Sequence, residues 1–242
     1  KLFNTFMENK NEYDLFVKID ADMVLKHPDV LGDMIRFFQK KSGLDHASFT
    51  VQDYMTSHRF MGLHMFSNRA VWPEIKNSYY TDKAPIVPGA KLSVMGKPAP
   101  VAYHANNPTP YQAFHFGTHR MLKAINPNRL STEIFQWNVV YWVACHAKRN
   151  PDPRLRLAVL GAWHVWNGDI VENATEVNNS AKFNIFSRYA DLNLATLDQA
   201  IPSHWPNILK RHLRLKRLYS AFQQKGGFIK SKVKAWRMDM NF

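Results

Sequence analysis

Asp20 and Asp22 stand at the end of an apolar run in the segment FVKIDADMVL, Phe16 to Leu25. The run itself, Leu15 to Ile19, predicts a short β-strand. Residues two apart in an extended chain point the same way, so both carboxylates can face one space at the C-terminal end of that strand. Open sheets that alternate strands and helices bind ligands at this end. Because two carboxylates suit Mg2+ or Mn2+, we expect a divalent metal ion that holds a diphosphate. A solvated acidic loop is the alternative.

A second polar group lies on one face of a helix predicted from Pro110 to Ile125. Thr109, Pro110 and Gln112 have the spacing of a capping box, with Thr109 as N-cap and proline at the first helical position. At about 100° per residue, one face of the helix is polar and cationic. That face consists of Gln112, His115, His119, Lys123 and the flanking Arg120. We expect His115, His119 or Arg120 to reach a phosphate or a sugar; a solvent-facing stripe is the alternative.

The two segments together resemble a known family. KIDADMVL after an apolar strand resembles the DXD motif of glycosyltransferases with the A-type fold. The segment HANNPTPYQAFHFGTHRMLK, His104 to Lys123, resembles a stretch that follows the DXD strand in a group of bacterial glycosyltransferase-like proteins, and LAVLGA, Leu157 to Ala162, also fits. The resemblance covers about Tyr13 to Gly168 at family level. It implies an α/β fold, a Rossmann-like mixed sheet flanked by helices, followed by a mainly helical C-terminal region.

The resemblance also implies the activity and its site residues. In the family, the aspartates bind the metal that bridges the diphosphate of a nucleotide-sugar donor, which would be the role of Asp20 and Asp22. Such enzymes often supply a histidine as a further metal ligand, and by position His104 is the first choice; imidazole is accepted better by Mn2+ than by Mg2+. An inverting transferase also needs a carboxylate base near the acceptor hydroxyl. A retaining enzyme need not place one there. Acidic residues stand in plausible places at Asp53, Glu74, Asp82 and Glu133. Asp53 and Asp82 are the first candidates, and the sequence does not choose between them.

The expected product is a glycosylated hydroxyl compound, in surface glycan or polysaccharide synthesis. The acceptor would be a sugar, a lipid-linked sugar or another hydroxyl compound. One feature departs from the family. Its members have roughly a hundred residues, which hold the nucleotide base and ribose, before the DXD strand, whereas only nineteen residues precede Asp20 here. We therefore expect this chain to lack most of the nucleotide-binding half. The predicted organisation is residues 1–168 as the C-terminal part of the catalytic domain, 169–204 as a connecting segment and 205–242 as a basic, mainly helical tail.

A second enzyme class shares the pattern of an apolar strand followed by DxDxV. In phosphohydrolases that resemble haloacid dehalogenase, the first aspartate is the nucleophile and the second a general acid and base, which Asp20, Asp22 and Val24 would fit. Such an enzyme needs a further acidic motif for Mg2+. The segment NGDIVEN around Asp169 is the best match, but it lacks the second aspartate. Met23 also replaces the usual glycine.

The basic charge is concentrated near the C-terminus. From Trp205 onward there are ten Lys or Arg and one Asp, which accounts for +9 of the net charge of +13. A nearly balanced remainder argues against a domain built to hold nucleic acid. In a helix, Ile208, Leu215, Tyr219 and Phe222 would share one face opposite Lys210 and Arg217, as on an anionic membrane surface. A basic helix that caps the domain is the alternative, and a non-catalytic basic binding protein is the non-enzymatic hypothesis.

Several elements must position these residues. The sequence predicts further strands at His46 to Gln52, Gly62 to Ser67 and Pro100 to His104, and a helix after Pro28. Helices are predicted at about Thr132 to Lys148 and Pro153 to Trp166, with a break at Asn150 to Pro153. No apolar run approaches the roughly 18 residues of a membrane span. With a single cysteine and no secretory signal, we expect a cytoplasmic protein, peripheral to the inner face of the membrane where the tail binds it.

Overall fold

The computed structural model describes residues 2–73, 85–94, 100–125, 130–171 and 180–218. The protein is mixed α/β, as the sequence predicts, and its chain divides into two compact units, Lys1–Pro108 and Thr109–Phe242. The strands described in the first unit are β1 (Leu15–Lys18), β2 (Met23–Leu25), β3 (Leu44–Asp53), β4 (Arg59–Ser67), β5 (Ala90–Val94) and β6 (Ala102–His104). Its described helices are α1 (Leu2–Asn9) and α2 (Val30–Gln39). The described helices of the second unit are α3 (Pro110–Ile125), α4 (Leu130–Arg149), α5 (Pro153–Trp166), α6 (Ser180–Ser187), α7 (Leu194–Ala200) and α8 (205–218).

The first unit is built on one mixed sheet with the strand order β1-β4-β3-β6-β2, and β5 pairs with β3. Strand β4 is antiparallel to both β1 and β3, whereas β6 is parallel to β3. Strands β1, β3 and β6 therefore run in one direction, and β3 and β6 end side by side at Asp53 and His104, whereas β1 ends level with Ser48 in the middle of β3. The pairing of β6 with the end of β3 sets Asp53 opposite His104, and the antiparallel pairing of β2 sets Met23 opposite His104.

Helix α2 covers one face of this sheet. Its apolar residues recur every four positions, and Val30, Met34 and Phe38 are all buried. They pack on alternate residues of the central strands, which include Ala47, Phe49, Val51, Leu63 and Met65. This packing fixes which residues of β3 point away from solvent, and Asp53 belongs to the buried set. The core thus determines where the polar edge of the sheet begins.

Three details of the first unit differ from the sequence predictions. Pro28 is not the first helical residue, because a turn joins the His27 carbonyl to the Val30 amide and α2 begins at Val30 after Asp29. Strand β2 follows Asp22 directly, although its three residues were too few to predict a strand. Strand β5 was also missed; it pairs with β3 across more than forty residues of chain, and local patterning does not indicate that pairing.

The second unit is organised around the contact between α3 and α5. The predicted bounds of both helices are confirmed, and the capping box is present: the Thr109 amide donates to Gln112 Oε1 at 2.8 Å and the Gln112 amide donates to Thr109 Oγ1 at 3.2 Å. Two glycines, Gly117 on α3 and Gly161 on α5, bring the helix backbones together. A β-carbon added to Gly117 would lie 1.7 Å from the Ala158 carbonyl oxygen.

Helix α8 contains the start of the basic tail and packs on α4 and α5. Its buried residues are Trp205, Leu209 and Leu213, and the His212 ring lies 4.0 Å from that of Trp137. Lys216 is paired with Glu133 at 2.6 Å. The packed face differs from the face predicted for a membrane, on which Leu215 is 57% exposed. Membrane contact and the predicted segments 1–168, 169–204 and 205–242 stay predictions, and Tyr219 and Phe222 lie outside the described residues.

Candidate functional site

Three of the predicted site residues meet at the shared edge of the sheet in the first unit. His104 Nε2 lies 3.4 Å from Asp22 Oδ2, and His104 Nδ1 lies 2.7 Å from Asp53 Oδ1. The imidazole therefore lies between two carboxylates. Asp53 is 1% exposed, whereas the Asp22 side chain is 49% exposed. This geometry makes Asp53 the inner partner of His104 and Asp22 the exposed one, while the His104 side chain itself is buried.

The Asp53 carboxylate has both oxygens engaged. Oδ1 pairs with His104, and Oδ2 accepts hydrogen bonds from the Thr56 amide at 2.7 Å and the Thr56 hydroxyl at 2.6 Å. A buried carboxylate with this many hydrogen-bond partners is held in one orientation. Its Oδ1 can accept a hydrogen bond from the Nδ1–H of His104, which favours the tautomer whose Nε2 has a free lone pair for a ligand. Asp53 is thus placed to orient His104.

The backbone around these residues is tightly constrained. Ala105 and Ser57 adopt left-handed conformations with φ of 51° and 59°, which cost on the order of 1 kcal/mol or more for residues other than glycine. The Ala105 amide donates to the Asp22 carbonyl at 3.0 Å, and the Tyr54 amide donates to the His104 carbonyl at 3.1 Å. The first bond joins the residue after His104 to Asp22, and the second joins the residue after Asp53 to His104. The fold therefore maintains unfavourable backbone geometry at this edge.

Asp20 has a different environment from Asp22. Its Oδ1 lies 3.0 Å from Lys18 Nζ, and its side chain is 40% exposed. In the described part of the chain, no group of three or more His, Cys, Asp or Glu side chains is arranged to hold a metal ion. Of the three metal ligands predicted from the sequence, Asp22 and His104 lie close together, whereas Asp20 is paired with Lys18. Their role as metal ligands stays a prediction. Asp82, the other predicted base, lies outside the described residues.

The two predicted histidines of α3 form a cluster in the second unit. Their rings stack with centroids 5.8 Å apart, and Lys182 Nζ of α6 lies 2.8 Å from His115 Nδ1. Burial, with the Lys182 charge adding to it, lowers the pKa of His115 to about 4. Burial and the neighbouring Lys123 and Arg120 lower the pKa of His119 to about 3. The expectation of a wholly solvent-facing stripe is therefore wrong, because α6 covers part of this face.

Arg120 lies beside this cluster and has partners of its own. Its Nη1 donates to Gln136 Oε1 at 3.5 Å, and its guanidinium lies 4.9 Å from the centre of the Phe116 ring. The sequence did not indicate Lys182, which is fully buried and whose pKa burial lowers to about 8. It is separated from His115 by 67 residues, so no local pattern joins the two. Phosphate or sugar binding by His115, His119 and Arg120 stays a prediction.

A second feature missed by the sequence is a line of three polar groups behind α5. His164 Nδ1 lies 2.7 Å from Asp169 Oδ2, and His164 Nε2 lies 2.8 Å from the Tyr189 hydroxyl. The side-chain amide Nδ2 of Asn167 also donates to Asp169 Oδ2 at 3.1 Å. The hydrogen bonds from His164 and Asn167 lower the pKa of Asp169. The Asp169 carboxylate is therefore occupied by hydrogen bonds at the C-terminal end of α5. Through His164, these bonds also connect α5 to Tyr189, which follows α6.

The cluster of His115 and His119 predicts a loss of stability in acid. Both imidazoles have a lower pKa in the folded protein than the ordinary value of 6.5, so the unfolded chain binds more protons between the two values. The free energy of unfolding should therefore fall as the pH falls from about 6.5 toward about 4. Allowing for solvent screening, we expect the pair to contribute a loss of about 1–2 kcal/mol between about pH 7 and pH 5.

Urea unfolding followed by circular dichroism at each pH measures this loss. The variant His115→Gln/His119→Gln carries no titrating imidazole at these positions, so its stability should fall by less over the same interval. His46→Gln is a positive comparison in the first unit: burial also lowers the pKa of His46 to about 4, so removing this imidazole should likewise reduce the loss of stability in acid. An unchanged pH dependence in the double variant would contradict the assignment.

No family model, curated protein or solved structure matches the chain. Within the residues that the structure describes, no helix is both long enough and apolar enough to cross a membrane. The feature that bears on the class of the protein is therefore the edge formed by Asp22, Asp53 and His104.

Proposed function

We propose that this chain carries the metal-binding and diphosphate-binding edge of a glycosyltransferase with an A-type fold. The observation that carries the proposal is the pair formed by Asp22 and His104, with His104 backed by the buried Asp53. The pair lies where parallel strands end, the usual ligand position in open α/β sheets. The reaction would move a sugar from a nucleotide-diphosphate donor to a hydroxyl acceptor.

One pair of atoms at this edge has the spacing of two ligands to a divalent ion. Two ligands that bind one ion at right angles, each about 2.1 Å from it, lie roughly 3 Å apart. The 3.4 Å between Asp22 Oδ2 and His104 Nε2 is close to that spacing. An imidazole with its second nitrogen on a carboxylate is the usual arrangement of a metal-binding histidine, and it favours Mn2+ over Mg2+. When bound, the ion would neutralise charge on the departing diphosphate.

The remaining tasks fall to the protein's own side chains. Asp22 and His104 would bind, and Asp20, one residue before the turn into β2, would rotate from Lys18 toward the same space. Asp53 orients His104, and its two engaged oxygens make it a poor catalytic base. This leaves Asp82 as the predicted base for an inverting reaction. Lys18, whose Nζ lies 3.0 Å from Asp20 Oδ1, would be the cation beside a bound phosphate.

The first experiment is a donor screen with the full-length protein. We expect release of a nucleoside diphosphate from one nucleotide-sugar in a panel, in the presence of Mn2+ and a mixture of hydroxyl acceptors. Asp22→Ala should abolish the release, whereas Asp33→Ala, which removes an exposed carboxylate of α2, should not change it. The absence of release from every donor, with protein that binds Mn2+, would argue against a transferase.

Further assays test the two alternatives, a phosphohydrolase and a non-catalytic basic binding protein. If the chain is instead a phosphohydrolase with Asp20 as nucleophile, it should hydrolyse p-nitrophenyl phosphate with Mg2+, and Asp20→Asn should abolish this activity. If it is a non-catalytic basic binding protein, neither assay should give activity, and anionic vesicles should retain the wild-type chain. In that case, charge-reversing substitutions of Lys210 and Arg211 should release it.

A further inference from the structure

The second unit contains a pocket that is independent of the proposed transferase edge. It has a volume of about 290 Å3 and lies between the C-terminal end of α4, the first turns of α5, the end of α7 and the turn before α8. Ligand pockets for small molecules begin at about this volume. Ala144, Val159, Ile201 and Pro202 are among the apolar residues that line it. The pocket is therefore large enough for a small organic molecule with an apolar body.

A buried arginine forms part of the pocket wall. Arg156 is 7% exposed, its Nε donates to Asp198 Oδ1 at 2.8 Å and its Nη1 donates to the Asn150 carbonyl. A guanidinium has five N–H donors, and these two bonds hold it in one orientation. Within the described residues, Nη2 has no hydrogen-bond acceptor, so it remains able to donate to a ligand. A fixed guanidinium with an available donor is an anion-recognition group.

The charges around the pocket favour a ligand with a single negative charge. Arg156 and Lys148 supply two positive charges to the lining, and Asp198 supplies one negative charge. The helix ends at the wall offset one another, because the first turns of α5 and α8 add partial positive charge and the C-terminal ends of α4 and α7 add partial negative charge. The side chains therefore decide the net charge of the lining. A dianion would exceed the positive charge available, whereas a carboxylate matches it.

We propose that this pocket binds a small monocarboxylate with an aliphatic chain. The carboxylate would accept hydrogen bonds from Arg156 Nη2 and from Lys148 Nζ, and the chain would contact Val159 and Ile201. The pairing of Arg156 with Asp198 keeps the guanidinium in place before the ligand arrives. The site makes no use of Asp22, His104 or a metal ion, so it stands whether or not the chain is a transferase.

Hexanoate is the probe, and hexanamide is its uncharged counterpart of nearly equal size. We expect hexanoate to bind saturably in a calorimetric titration and hexanamide to bind at least about tenfold more weakly, because the amide lacks the charge that the guanidinium and the lysine recognise. In an amide-resolved NMR titration, hexanoate should shift the signals of Lys148, Val159 and Ser203. Absence of saturable binding, or equal binding of the two probes, would overturn the proposal.

Two variants test the assigned groups. Lys148→Gln changes an exposed residue and should weaken hexanoate binding about threefold to tenfold, while Lys210→Gln, an equal loss of charge on the exposed side of α8, should have no effect. Arg156→Gln should reduce binding below detection, provided that its circular dichroism spectrum stays native. If Lys148→Gln and Lys210→Gln have equal effects, the ligand responds only to net charge and the proposal fails.

Discussion

Replacing His104 with alanine is expected to lower the Mn2+ affinity of the chain and its sugar-transfer rate by about a hundredfold or more. The substitution removes the ring nitrogen that lies 3.4 Å from Asp22 Oδ2 and also leaves the buried Asp53 carboxylate without its partner. Groups that orient metal ligands contribute about 10- to 100-fold to affinity, and loss of the ligand itself should cost at least as much. Quenching of the electron paramagnetic resonance signal of free Mn2+ measures the affinity directly, without need of a donor or an acceptor.

Asp53→Asn separates orientation from binding. This change keeps the size of the side chain, but its amide can donate a hydrogen bond to His104 Nδ1 and thereby favour the wrong tautomer. We expect an affinity loss of about 10-fold to 100-fold. Asp45→Asn is the matched control, since Asp45 is also a buried aspartate of β3 but lies at the other end of the strand.

Asp45 accepts bonds from Ser67, Arg69 and Gly89, so its variant should lose stability and keep Mn2+ affinity. Should His104→Ala bind Mn2+ as tightly as the wild type, the metal site would have to be placed elsewhere. Equal losses of affinity in Asp45→Asn and Asp53→Asn would indicate a general effect on folding. The two variants thus distinguish an aspartate that orients a metal ligand from one that only stabilises the fold, within the same strand.

The local features of the chain were predictable because their causes are local. The capping box at Thr109 and the N-terminal proline of α5 determine where two helices begin, and the apolar alternation of β3 marks a half-buried strand. Asp20 could be placed just after a strand from its neighbours alone, but the turn from the Asp20 carbonyl to the Met23 amide takes Asp22 out of the extended geometry that the spacing predicts. In each case, the residues that determine the structure lie within a few positions of each other.

The role of Asp53 was not predictable in this way. It depends on the parallel pairing of β3 with β6, which brings together two residues 51 positions apart. The sequence indicated Asp53 only as an acidic residue after a strand, and a base was as plausible as an orienting group. The deciding observations are its burial and the two bonds from Thr56, which exist only in the assembled fold.

The helix α3 shows the same division between local pattern and tertiary packing. Periodicity correctly placed His115 and His119 on one face, opposite buried residues such as Phe114 and Met121. It could not show that α6 brings the buried Lys182 to within 2.8 Å of His115. The pKa values of His115 and His119 are lowered because the fold buries them. The helical pattern alone does not predict this burial, and so it does not predict the lowered pKa values.

The largest effect on stability is expected from Gly117→Ala. A β-carbon at this position would lie 1.7 Å from the Ala158 carbonyl oxygen and 2.6 Å from its carbon, which are backbone atoms of α5. Backbone atoms cannot turn aside as a flexible side chain can, so the two helices would have to separate. Overpacking of a well-filled contact costs about 1–3 kcal/mol and occasionally more; we expect at least about 3 kcal/mol here because the clash is with backbone.

Two further glycines calibrate this expectation through urea unfolding. Gly161→Ala is the reciprocal change on α5, where the added carbon would lie 2.2 Å from the Phe114 carbonyl oxygen, and it should cost a similar amount. Gly168→Ala has nothing within 4 Å but a φ of 84°, so it should cost only the strain of a left-handed residue, about 1–2 kcal/mol. If Gly117→Ala cost no more than Gly168→Ala, α3 and α5 could not pack at this distance. The positions of His115, His119 and Lys182, which depend on the place of α3, would then need revision.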